Sequence, residues 1–186
     1  MDKILGNLHL VLGIGLALAI GMMFAPYYTP ATAAIGIFQW LHVFFGITWI
    51  GLLYYFNFVQ IPTMPAIPAE LKPGVSKYIA PKALFFFRWS AAFTVLTGLI
   101  LAHLYGELVE GLTLTGGAQL IGIGMWLALV MAFNVWFIIW PNQKRALGLV
   151  EADDASKAKS AKTAMMASRI NTLLSIPMLL AMVAFR

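Results

Sequence analysis

Five long apolar runs follow one another along this chain of 186 residues, separated by shorter segments that hold most of its prolines and charges. Each run is close to the roughly 20 residues that a helix needs to cross a bilayer. Alternation of apolar and polar positions, which would indicate strands, is absent. The pattern therefore predicts an all-α integral membrane bundle of five transmembrane helices, forming a single domain over 1–186. The predicted spans are 4–25, 34–61, 83–105, 119–140 and 164–185.

The composition agrees with a membrane protein and narrows its chemistry. Hydrophobic residues make up 61% of the chain and charged residues only 10%, whereas soluble domains are about 25% charged. The chain contains no cysteine. That absence excludes disulfides, iron–sulfur clusters, thiolate ligands and covalent attachment of a c-type haem within these residues. Any metal or haem would therefore depend mainly on the three histidines.

The loop cations predict an orientation. With five crossings, nearly all lysines and arginines lie on one side of the membrane, and the positive-inside rule makes that side cytoplasmic. We therefore expect a bacterial inner (plasma) membrane protein with a cytoplasmic N terminus and an external C terminus. Because the cations are spread over short loops, we expect contact with anionic membrane lipids and no binding of nucleic acid.

The second apolar run carries His42 in its first half and Asn57 near its end, where a bilayer would surround them. An ionisable side chain inside a span is costly and by default marks a functional site. On a helix His42, Gly46, Trp49 and Asn57 lie along one stripe. Gly46 has no side chain, so a flat ligand could approach the backbone there.

A second histidine, His103, is predicted at a similar depth on the antiparallel third span. Two imidazoles at one level could ligate one haem iron axially, so His42 and His103 are the predicted metal ligands of a b-type haem, with Gly46 and Trp49 beside it. Two alternatives stay open: His103 is an interfacial residue, or His42 bonds to a backbone carbonyl. His9 is assigned no ligand role.

The cytoplasmic half of the bundle is predicted to contain a polar layer. Arg88 and Arg169 lie just inside their spans, near Asn57 and Asn134, and no carboxylate lies within any span. Cations without a buried counter-ion suggest a site for a substrate or another anion, formed by these four residues. The alternative is that the arginines extend to the lipid headgroups.

Three stretches carry a family resemblance: WLHVFFGITWIGLLYYFNF, PKALFFFRWSAAFTVLTGL and NVWFIIWPNQK. Together they resemble the membrane domain of the bacterial membrane-bound, cytochrome-c-linked urate oxidase family, over roughly 35–145. The resemblance implies an inner-membrane oxidoreductase that passes electrons towards cytochrome c. Because this chain lacks cysteine, its acceptor would be a separate protein. The second span also resembles, more weakly, the small haem-dependent protoporphyrinogen oxidase family.

We therefore expect a haem b electron-transfer protein, one that passes electrons from a small organic donor or quinone to a separate cytochrome c or oxidase. Two other classes remain open. One is a non-catalytic accessory subunit of a larger respiratory or membrane complex, and the other is a small permease. A homo-oligomer is compatible with each class, and the sequence indicates no catalytic residue.

Overall fold

The computed structural model describes residues 2–23 and 29–184, and the predicted C-terminal ends of the first and last spans lie outside these ranges. Two compact units are present, Met1–Ile37 and Phe38–Arg186. Every regular element in the described residues is helical, which confirms the all-α prediction.

In the described residues, a single helical turn precedes six helices, which are numbered here in chain order. Helix α1 is Leu8–Met23, after the single turn Asp2–Leu5. Helix α2 is Thr32–Ala66, α3 is Lys72–Leu104, α4 is Leu108–Thr113, α5 is Gly116–Ala146 and α6 is Asp154–Ala184.

Within the described residues, four helices rather than the predicted five are long and apolar enough to cross a membrane: α2, α3, α5 and α6. In the first run the described helix, α1, is a shorter apolar helix of 16 residues. The Asn7 side chain accepts a hydrogen bond from the Leu10 amide at 3.2 Å, a cap that begins the helix at Leu8.

The long helices also extend past the prolines at which the sequence predicted that they would end. The described residues include three π-helical stretches, Tyr55–Gln60, Val75–Ile79 and Asn134–Ile139. A proline follows each stretch two residues after its end, at Pro62, Pro81 and Pro141. Proline lacks an N–H and its ring crowds the carbonyl four residues earlier. A wider π turn relieves that crowding, so the helix continues through the proline.

The core of the second unit is formed by apolar side chains from all four long helices. Trp49, Leu53, Phe87, Met131 and Val135 are essentially inaccessible to solvent. Helices α5 and α6 approach closely at Gly124, which has no side chain. A Cβ added there would lie only 3.0 Å from the Ala181 Cβ. Small residues such as Gly124 allow two helices to approach this closely.

Candidate functional site

The imidazole of His42 lies between α2 and α3 and is half-buried. Its Nδ1 is 2.9 Å from the Thr94 carbonyl oxygen. Because a carbonyl oxygen can only accept, Nδ1 carries the proton and donates the hydrogen bond. The ring packs against Gly98, where an added Cβ would lie 2.7 Å from the His42 Cε1. This is the bond to a backbone carbonyl that the sequence left open as an alternative for His42, and that alternative is confirmed. The same bond fixes the tautomer and leaves the Nε2 lone pair as an acceptor or ligand, as in most metal-binding histidines.

The structure does not bring His103 to the same place. His103 lies nine residues after Thr94, which is about half a turn away around α3. Its side chain is exposed, as is that of His9 in the other unit. Within this chain, His42 of α2 lies against one side of α3, and His103 extends from another side of α3. The two imidazoles therefore do not face one common iron.

The rest of the predicted haem stripe is filled by protein. The methyl group of Thr94 is 3.8 Å from the position of a Cβ on Gly46, an ordinary contact distance. Trp49 is 0% exposed, and its Nε1 has no hydrogen-bond partner among the described residues. Gly46 and Trp49 therefore bring α2 against α3, and they leave His42 at the edge of the contact.

The predicted polar layer is present for its asparagines, and helix α6 is at its centre. Asn57 donates to the Ser168 hydroxyl at 2.8 Å, and Asn134 donates to the Asn171 side-chain oxygen at 2.9 Å. Asn171 in turn donates to the Met131 carbonyl. These bonds join α2 and α5 to α6, so the asparagines have a structural role.

We expect Asn171→Ala to destabilise the bundle by about 1–3 kcal/mol, because it leaves a buried amide and a buried carbonyl without partners. Denaturant unfolding in detergent micelles measures the loss. Arg169→Ala is the matched control, since Arg169 is on the same helix but exposed, and exposed substitutions usually change stability by less than about 0.5 kcal/mol. Equal stabilities for the two variants would contradict the structural role of the layer.

Arg88 lies apart from the asparagines and contacts two tryptophans of α5. The carbon of its guanidinium is 3.4 Å from the ring centroid of Trp140 and 5.9 Å from that of Trp136. Trp136 Nε1 donates to the Arg88 carbonyl at 3.2 Å. Lys144 Nζ is 5.6 Å from the Trp140 centroid. Arg88 thus belongs to a cluster with Trp136, Trp140 and Lys144, rather than with Asn57, Asn134 and Arg169.

This cluster was not predicted from the sequence, although the sequence carries a signal for it. Trp136, Trp140 and Lys144 follow one another at intervals of four, which places them on one face of a helix. Pro141 conceals this spacing in the sequence, because it stands between Trp140 and Lys144, and the predicted span ends at residue 140.

No group of three or more metal-binding side chains (His, Cys, Asp or Glu) occurs in the part of the chain that the structure describes. A haem needs only one or two axial ligands. His42, with its oriented ring and its free Nε2, fits one of them. The described residues supply no second histidine next to it.

Comparison with known proteins gives one family. Residues 107–185 match the family model described as urate oxidase N-terminal. The matched segment is less than half of the chain, and it supports a urate oxidase-related family. It includes NVWFIIWPNQK, one of the three stretches that carry the resemblance, but lies after the segment around His42. No curated protein and no solved structure matches the chain.

Proposed function

We propose that this chain is a multi-pass membrane protein that binds b-type haem and transfers electrons, in a family related to urate oxidase. The observation that carries the proposal is the hydrogen bond from His42 Nδ1 to the Thr94 carbonyl. It gives an intramembrane histidine the orientation of a metal ligand. The family match supports oxidoreductase chemistry.

In this proposal the protein's own residues orient the ligand. Thr94 holds the proton on Nδ1, Gly98 admits the ring, and the surrounding apolar helices exclude water. A bound haem would supply a one-electron redox couple. The donor is a small organic molecule or a quinone, and the acceptor is a separate cytochrome c or oxidase. His42 would hold the haem without His103, because His103 faces elsewhere, and any further ligand would come from another chain or a small molecule.

The test is the optical spectrum of the purified protein. We expect a Soret band and, after reduction, a sharp α band, with pyridine extraction yielding haem b. A colourless protein that also fails to take up added haem would contradict the proposal.

A second candidate is a non-catalytic accessory subunit, and the packing of the predicted stripe favours it. Trp49 and Leu53 are fully buried against protein, and the bond from His42 to Thr94 also fastens α2 to α3. In this role His42 contributes to stability alone. The optical spectrum separates the two candidates.

The proposed orientation places the loops at 67–71 and 147–153 in the cytoplasm and the C terminus outside, because most cations flank those loops. Reporter fusions after Gly116 and after Lys157 should report outside and inside respectively. The reverse result would contradict the orientation. The predicted cytoplasmic N terminus also requires α1 to cross, and a fusion ahead of Leu8 tests that separately.

A further inference from the structure

Arg88 is a cation in an apolar helix with no anion to balance it. Helices α3 and α5 contain no aspartate or glutamate. Two of its nitrogens, Nε and Nη1, are buried and lack any hydrogen-bond partner in the described residues. Burying a charged group without a partner is strongly unfavourable. The site therefore needs oxygen acceptors that carry negative charge.

The tryptophans satisfy only part of this need. Trp140 lies 3.4 Å from the guanidinium carbon, a distance that allows a strong cation–π contact. That contact uses the face of the guanidinium plane, whereas the N–H groups point outwards within the plane. Stacking on Trp140 therefore holds Arg88 in place. Its third nitrogen, Nη2, is not among the buried ones and has no hydrogen-bond partner in the described residues, so it is the donor open to a ligand.

A second cation lies near the same indole ring. Lys144 Nζ is 5.6 Å from the ring centroid of the same Trp140. Lys144 is in the last turn of α5, at the end of the helix that enters a cation-rich loop. An arginine and a lysine around one indole ring suit a phosphate group, which both side chains bind well.

An apolar groove lies next to this cationic cluster. It has a volume of about 430 Å³ and an apolar exposed lining, formed by Phe45, Phe85, Phe86, Trp89, Ser90 and Phe93. Trp89 connects the two features, because its ring meets that of Trp136 edge to face at 5.4 Å. A ligand with an anionic head and an apolar tail would therefore contact both the cations and the groove.

We propose that Arg88 and Lys144 bind the phosphate of an anionic phospholipid whose acyl chain lies along this aromatic groove. Basic pockets between membrane helices on the cytoplasmic side bind such headgroups. A lipid also delivers its phosphate at the depth of the helices, whereas free phosphate must first lose its hydration. This site is independent of haem binding at His42.

The experiment measures lipid binding to the full chain in detergent micelles by native mass spectrometry. Phosphatidylglycerol is compared with phosphatidylcholine of identical acyl chains. Both lipids carry a phosphodiester, but in phosphatidylcholine a quaternary ammonium balances its charge and would be repelled by the two cations. We therefore expect wild-type protein to prefer phosphatidylglycerol about tenfold or more. Arg88→Gln should abolish this preference and Lys144→Gln should reduce it. Lys159→Gln, an exposed cation of α6, is the matched control and should retain it.

Three results would overturn the proposal. One is equal binding of the two lipids by wild-type protein. Another is a preference in Arg88→Gln as large as in Lys159→Gln. The third is displacement of phosphatidylglycerol by millimolar inorganic phosphate, which would show a site for the free anion. If Arg88→Gln fails to fold, the lipid preferences of wild-type protein and of Lys144→Gln still test the proposal. His42→Ala should bind phosphatidylglycerol as wild type does, so a failure here is distinct from a failure of the haem proposal.

Discussion

His42→Ala should abolish the retention of haem during purification. His42 is the one histidine of the second unit whose ring is held between two helices. Its loss leaves only the exposed imidazoles of His9 and His103. His103→Ala should leave the haem in place or weaken its binding, and His9→Ala should have no effect, since both side chains are exposed. The measurement is the ratio of Soret to protein absorbance.

Full haem and an unchanged spectrum in His42→Ala would contradict this expectation and favour the accessory-subunit candidate. Loss of haem from His103→Ala alone would assign the ligand role to the other histidine. Each variant should be compared at equal recovery of folded protein, because His42 also fastens α2 to α3.

Gly98→Ala should destabilise the haem-free protein by about 1–3 kcal/mol, the usual cost of overfilling a packed contact. The new methyl group would lie 2.7 Å from His42 Cε1 and 3.0 Å from Nδ1. Either the helices separate or the ring turns away and loses its bond to Thr94. Thermal or denaturant unfolding in micelles measures the change.

Gly51→Ala is the matched control, because it changes another helical glycine with no heavy atom within 4 Å of the added carbon. It should raise stability by up to about 1 kcal/mol, since alanine favours helix over glycine. The cost of Gly98→Ala should largely disappear in a His42→Ala background, where the ring no longer occupies the space. Additive effects of the two substitutions would contradict the described contact.

The sequence predicted the helical class and the approximate position of four long helices, because hydropathy is a local property of the chain. The helix ends were less well predicted. Pro62, Pro81 and Pro141 indicate breaks when each is considered alone, yet a π turn before each allows the helix to continue. Whether a helix breaks or widens at proline depends on the packing around it, which hydropathy does not report.

The site was predicted in part. The depth of a residue along its span follows from its residue number, so the sequence predicted the asparagine layer. Direction around the helix decides which side chains meet, and it separates His103 from His42 and Arg169 from Arg88. Arg169 shows this most simply, since it follows the buried Ser168 and is itself exposed. Contacts between helices distant in sequence, such as Arg88 on Trp140, require the fold.

The most direct test of the central claim is rescue of His42→Gly by free imidazole. Loss of haem from a variant alone has two explanations, a missing ligand or a loosened contact between α2 and α3. Free imidazole can occupy the space beside Gly98, bond to Thr94 and present a nitrogen to the iron. We expect His42→Gly to purify without haem and to bind added haem b with a wild-type spectrum only when imidazole is present. Haem binding by His42→Gly that is identical with and without imidazole would contradict His42 as the ligand.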